Sequence, residues 1–172
     1  MIYIRVTSTL TAATLLTLVS SAQAQSIPPS GELHVTYTTT AVPASKPMEI
    51  GDGKQYMQVN LIMTASNDQG NPILNKMAGR CQLTRLIDGK TVETHGYCTY
   101  TDADNNQIFE KCDFLPGQPN NCKLTGGTGK FAGLQASIVI TTQPIKSSFD
   151  DVFQGIGHKD GTYEIAPVAA SK

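Results

Sequence analysis

The sequence lacks the features that most often announce an activity. It has no Cys-x-x-Cys pair, and its three histidines, His34, His95 and His158, are far apart, so no zinc-ligand spacing is present. Neither sign of charge prevails: 13 lysines and arginines stand against 14 acids, with the basic residues scattered. That balance excludes the electrostatic footprint of a nucleic-acid-binding surface. No segment carries helical periodicity over a length that could cover a sheet, which excludes α/β architectures. No nucleophile-and-base motif is present either, and no cofactor is expected.

What is present begins with an N-terminal export pattern. One early charge, Arg5, precedes an uncharged run through Leu10, Leu15, Leu16, Leu18 and Val19, followed by the small-x-small step Ala22-Gln23-Ala24. A weakly basic start, a short apolar run and such a step read as a signal peptide over residues 1–24. The run is broken by threonines and falls short of the roughly 20 apolar residues of a membrane span, so no span is expected after cleavage. The remaining chain suits one domain. Its expected parts are an extended arm over 25–31, a β domain over 32–166 and a tail over 167–172, in the periplasm or outside the cell.

Alternation at period two runs through most of the mature chain. Leu33, Val35 and Tyr37 share one face of a strand over 32–40; Met57, Val59, Leu61, Met63 and Ala65 share one over 55–65, with Ile62 the exception. Met77, Gly79, Cys81, Leu83 and Ile87 continue the pattern, Asp88-Gly89 turns the chain, and further strands are expected over 91–101, 107–114 and 134–142. Two closing strands, 152–157 and 162–165, flank a predicted turn at His158-Lys159-Asp160-Gly161. Strands separated by turn formers argue an all-β sandwich or barrel, and closure disposes of exposed edges.

The most unusual stretch is Leu124-Thr125-Gly126-Gly127-Thr128-Gly129-Lys130-Phe131-Ala132-Gly133. A phosphate-binding Walker loop would need glycine at 124 and serine or threonine at 131, where Leu124 and Phe131 stand. Residues 127–132 fit the looser G-x-G-x-x-G/A string, but the segment after Gly133 is strand-like rather than helical, so nucleotide binding is set aside. Gly126, Gly127, Thr128, Gly129, Phe131 and Gly133 are therefore expected to shape a turn, with Lys130 toward water and Phe131 packed beneath. This run resembles the Gly-Gly-Thr-Gly-x-Phe signature shared by dirigent proteins, allene oxide cyclases and many small exported bacterial proteins. The run from Gly96 to Asp104 also resembles the bacterial members. The resemblance implies a closed antiparallel barrel of about eight strands, related in shape to lipocalins and other calycins. Where the plant members continue the signature with a small-x-Gly step, this chain has Gln135-Ala136. No catalytic residue of those families carries over to a position here.

Three local constellations remain. Asp102, Asp104 and Asn106 alternate like calcium ligands, but position six is Gln107 and position twelve Asp113, so an Asx hairpin turn is preferred over a metal site. Glu93, His95 and Tyr97 share a strand face and could move protons if that face were inside. Val92, Cys98 and Tyr100 opposite them are better core material, which turns Glu93, His95 and Tyr97 to solvent. The four cysteines, Cys81, Cys98, Cys112 and Cys122, imply two disulfides in an exported chain. Cys81–Cys98 with Cys112–Cys122 competes with Cys98–Cys112 plus Cys81–Cys122. The first is preferred because both bridges are local, although an Asp88-Gly89 turn sets Cys81 and Cys98 diagonally, about 7–8 Å apart, so that a bulge or register shift is required.

These observations favour an exported, non-catalytic barrel whose interior, lined by Met57, Val59, Leu61, Met63, Leu83, Ile138 and Ile140, either holds a small apolar ligand or is simply filled by its own side chains in a structural role. A cyclase or isomerase that encloses a reactive intermediate is the rival. A polar or ionisable residue in the inward set would separate the two, and this inward set contains none.

Overall fold

A computed structural model describes residues 26–150 and 152–167; the predicted signal segment lies outside them. The strands are β1 Ser30–Pro43, β2 Met48–Glu49, β3 Lys54–Asn67, β4 Met77–Asp88, β5 Thr91–Thr101, β6 Gln107–Phe114, β7 Asn121–Gly127, β8 Leu134–Ile145 and β9 Phe153–Ile165. Eight of them close into an antiparallel barrel in the order β1-β9-β8-β7-β6-β5-β4-β3, sealed by pairing of β1 with β3, while the two-residue β2 borders β3. Closure leaves no long strand edge to solvent, which is what a chain without covering helices requires.

The period-two pattern decides which side chains enter the core. Leu33, Val35, Tyr37 and Ala41 of β1, Val59, Met63 and Ala65 of β3, and Met77, Cys81 and Leu83 of β4 are all buried, with Met57 and Leu61 packed partly against them. Ile62 falls on the opposite parity and is 63% exposed. Ile138 and Ile140 complete the series on β8.

The barrel's two ends differ. At one, Ile73 and Leu74 from the β3–β4 connection, Phe131 from the glycine-rich turn, and Leu33, Ile108 and Leu134 are fully buried and plug the interior. Asn67 clamps that connection: its side-chain amide donates to the Ile73 carbonyl at 3.2 Å, and its side-chain oxygen accepts from the Gln69 and Asn71 backbone amides. Asn71 in turn donates to the Tyr163 hydroxyl at 2.8 Å. The glycine-rich stretch continues β7 to Gly127, makes a single 3₁₀ turn at Gly129–Phe131 and enters β8 at Leu134. Gly129 has φ +54°, and a Cβ there would strike Asn106 Oδ1 of the adjoining turn, so a larger residue would be strained and would have to displace that side chain. Lys130 is exposed, with Nζ 2.8 Å from Asp102 and 3.4 Å from Asp104.

Both disulfides are cross-strand hairpin bridges: Cys81–Cys98 joins β4 to β5 and Cys112–Cys122 joins β6 to β7, with Cα separations of 4.0 and 4.1 Å. Loop-closure entropy for such short spans corresponds to about 3 kcal/mol each. The register shift that Cys81 and Cys98 require is present: Asp88 pairs with Thr91, so the hairpin turns on Gly89-Lys90, one residue later than expected, which sets the cysteines directly opposite.

Three further expectations are corrected. His158-Lys159-Asp160-Gly161 is not a turn but the middle of β9, which pairs without interruption with β1 and β8. Its turn-forming composition is overridden by a second alternation, Gly155, Gly157, Lys159, Gly161 and Tyr163, on one side of the strand. At Gly157 a Cβ would meet the Thr141 carbonyl and the Tyr37 hydroxyl, so the glycine leaves room for that ring. Val92 is not core but 43% exposed, since it lies beyond the covered part of β5. The inward set, finally, is not free of ionisable groups.

Candidate functional site

Glu110 is the central residue of β6, between buried Ile108 and Cys112, and shares their inward parity. It adjoins a bulge between β6 and β7 that leaves Thr125 without a ladder partner. Bulges re-aim side chains locally. From the far wall, Lys159 of β9 reaches Glu110 with Nζ 2.5 and 2.7 Å from its two carboxylate oxygens, and donates to the Tyr100 hydroxyl at 2.8 Å. Tyr100 donates to Glu110 Oε2 at 3.0 Å, and the ammonium also lies over the rings of Tyr100 and Tyr37. All three side chains of this cluster are withdrawn from water.

Their electrostatics follow from that withdrawal. Burial holds the Lys159 ammonium below the usual lysine pKa of 10.5, against the opposing pull of Glu110. Burial, reinforced by the Glu110 charge, pushes the Tyr100 phenol well above 10.0, so it remains a hydrogen-bond donor. Tyr37 is raised chiefly by burial, with its hydroxyl 2.5 Å from Thr142 Oγ1. The three ammonium protons are all used inside the cluster. Glu110, with about four lone-pair positions, keeps accepting capacity beyond its three donors.

Above this floor lies a half-open cavity of about 200 Å³ toward the end of the barrel opposite the glycine-rich turn. Its apolar wall comes from Ala41, Leu61, Met63, Leu83, Phe114 and Ile140. Its polar wall includes Thr39, Arg85, Thr94 and Asn120. Thr39 Oγ1 and Arg85 Nε are both buried and have no hydrogen-bond partner among the described residues. The cavity exceeds the roughly 150 Å³ that accepts benzene in an apolar core, and falls below the range of about 300–1,000 Å³ typical of drug-sized ligands. Two wider depressions lie on the outer sheet surface, and apart from the buried Tyr163 the ionisable residues along them are exposed.

Of the sequence-derived lining residues, Leu61, Met63, Leu83 and Ile140 border this cavity, while Met57 and Val59 border a shallower depression at its rim and Ile138 packs in the core. Glu93, His95 and Tyr97 are on the outer face, with Tyr97 67% exposed and His95 Nδ1 2.7 Å from Asp113 Oδ1. Asp102 accepts from the Asp104 and Asn106 backbone amides and pairs with Lys130, so an ammonium already occupies the place a cation would take. The Gly126–Gly133 run lies at the plugged end. Among the described residues, Cys98, Glu110 and Cys112 alone bring three potential metal-ligand atoms together, but both sulfurs are in disulfides and Lys159 holds the carboxylate. That set does not fit a metal.

Glu110, Lys159 and Arg85 escaped the sequence reading; strand parity marks Arg85 and Glu110, whereas Lys159 lay in a predicted turn. Arg85 stands between Leu83 and Ile87 on the inward face of β4, and Glu110 stands between Ile108 and Cys112.

The described residues thus define a class: a closed eight-stranded antiparallel barrel of dirigent-like shape, plugged at one end, with a buried ion pair beneath a small cavity. Among solved structures it is similar to a pterocarpan synthase dirigent protein, with a TM-score of 0.50 at 11% identity over 84% of this chain and 91% of that one. A pyocyanin demethylase aligns over 72% of this chain and 98% of its own, at 16% identity and a TM-score of 0.37. No protein-family model matches the chain, and no curated protein matches it.

Proposed function

We propose that this protein is an exported binding barrel that encloses one small, mostly apolar molecule bearing a polar group. The carrying observation is the half-open cavity of about 200 Å³ with an aliphatic wall and polar atoms left without partners. Empty, such a cavity forgoes dispersion contacts and leaves buried polar groups unsatisfied, two costs that a fitting ligand removes. Two disulfides suit an oxidising compartment, and among the described residues no helix is long and apolar enough to cross a membrane.

The test uses p-cresol, a neutral one-ring probe, monitored by ligand-observed NMR. Binding is expected for the native chain and loss of binding for Ala41→Phe, which fills the cavity from a buried wall position, provided its melting curve shows a folded protein. Equal binding by both, or none by either, would overturn the proposal.

An isomerase or cyclase reading is favoured by one observation, the Glu110–Lys159–Tyr100 cluster at the cavity floor, which could hold or pass a proton where a bound molecule ends. Chemical change of a co-purifying compound on incubation with the native chain, absent with Glu110→Gln, would place this reading ahead. An unchanged compound would leave binding alone.

A further inference from the structure

Resting on the binding reading above, we propose that the ligand is a small monoanion, a carboxylate on a compact apolar body, with its head at Arg85 near the cavity mouth and its body toward Met63, Leu83 and Ile140. The balance of charge in the wall leads there. The Glu110 and Lys159 charges neutralise each other through two short contacts, so the guanidinium of Arg85 leaves one positive charge unmatched among the described lining residues. Its Nε–H is buried without an acceptor among those residues, a situation that costs more than a made hydrogen bond gains. A planar guanidinium fork matches a carboxylate in two parallel hydrogen bonds.

Orientation is set by the same charges. An anionic head would be repelled by the Glu110 carboxylate on the floor, whereas Arg85 is only partly buried and offers a head group both charge and residual water. The aliphatic wall between the two then takes the apolar body. Thr39 supplies a second candidate recognition point: the residue lines the cavity and is 7% exposed, and its buried hydroxyl has no partner among the described residues. A phosphate would bring a second charge that nothing in the wall matches and a larger desolvation cost. The small volume limits the body to about one ring or a short chain, slightly beyond the size of benzene.

Calorimetry with benzoate and its neutral isostere benzamide tests the assignment. Benzoate is expected to bind at least tenfold more tightly than benzamide to the native chain. Arg85→Gln should remove that preference, Arg85→Lys should retain part of it, and Thr39→Val should weaken benzoate a few-fold. Arg80→Gln, an outward position on the same strand, serves as the folded control and should change nothing. Equal affinity for the two probes, or an Arg85→Gln variant that keeps the benzoate preference, would overturn the anion assignment while p-cresol binding upholds the cavity. Failure of benzoate to bind a chain that binds p-cresol would overturn it as well. Failure of p-cresol itself removes the binding reading beneath it.

Discussion

Lys159 Nζ lies within 2.7 Å of both carboxylate oxygens of Glu110, with both side chains at 0% exposure and the contact running across the barrel rather than along it. The two residues belong to β6 and β9, which β7 and β8 separate in the ring. A pair so placed ties opposite walls together. It also carries a large desolvation cost that its own attraction offsets only while both partners are present.

Removal of one partner is therefore far worse than removal of both. Lys159→Met should lower unfolding free energy by about 3–5 kcal/mol, because it strands a buried carboxylate, whereas Lys159→Met with Glu110→Leu should recover most of the loss. Denaturant unfolding of the three proteins measures this directly. A double variant no more stable than the single one would show that the pair is not an isolated unit.

Phe131 and Lys130 are neighbours in the glycine-rich turn with opposite energetic weight. Phe131 is fully buried at the plugged end, so Phe131→Ala should cost about 3–5 kcal/mol through lost burial and the cavity left behind. Lys130 is 40% exposed, and its bridge to Asp102 is screened by water, so Lys130→Ala should cost at most about 1 kcal/mol. Thermal melts of the two variants rank them, and a reversed order would remove the structural role assigned to the turn.

His34 should titrate above the ordinary histidine value of 6.5. Its Nδ1 lies 2.9 Å from Asp160 Oδ1 and its Nε2 3.4 Å from Glu32, and the Asp160 contact is the stronger cause of the rise. The folded chain thus holds this proton more tightly than the unfolded one. The resulting stabilisation is complete below about 6.5 and disappears as pH rises through the raised folded value. An NMR titration of the imidazole reads it, and Asp160→Asn should bring the midpoint back toward 6.5. A midpoint unmoved by that substitution would assign the shift elsewhere.

Architecture was legible because barrel strands write their facing into alternate residues: the pattern through Met57, Val59, Leu61 and Met63 survives intact in β3, including Ile62 on the outside. Disulfide pairing was legible from locality, each bridge joining neighbouring strands of one hairpin, although the expected turn centre for Cys81–Cys98 lay one residue too early. The interior charges were not. Lys159 stands in a His-Lys-Asp-Gly string with strong turn composition, and only its neighbours Gly155, Gly157 and Gly161 reveal a strand packed closely against its partners. An inward lysine is tolerable only when a counter-charge meets it, and Glu110 is 49 residues away in sequence, beyond any local pattern. Arg85 carried the right parity but the wrong chemistry for a presumed apolar lining.

The first strand, β1, is sealed by β3 on one edge and by β9, the last strand, on the other. A chain synthesised from its N-terminus can pair β1 with β3 early, yet it has no enclosed interior until β9 is in place. Until then Glu110 meets water rather than Lys159, and Arg85 and Thr39 line an open trough. Any occupant of the interior therefore enters only after β9 is in place, from the surroundings in which the barrel closes.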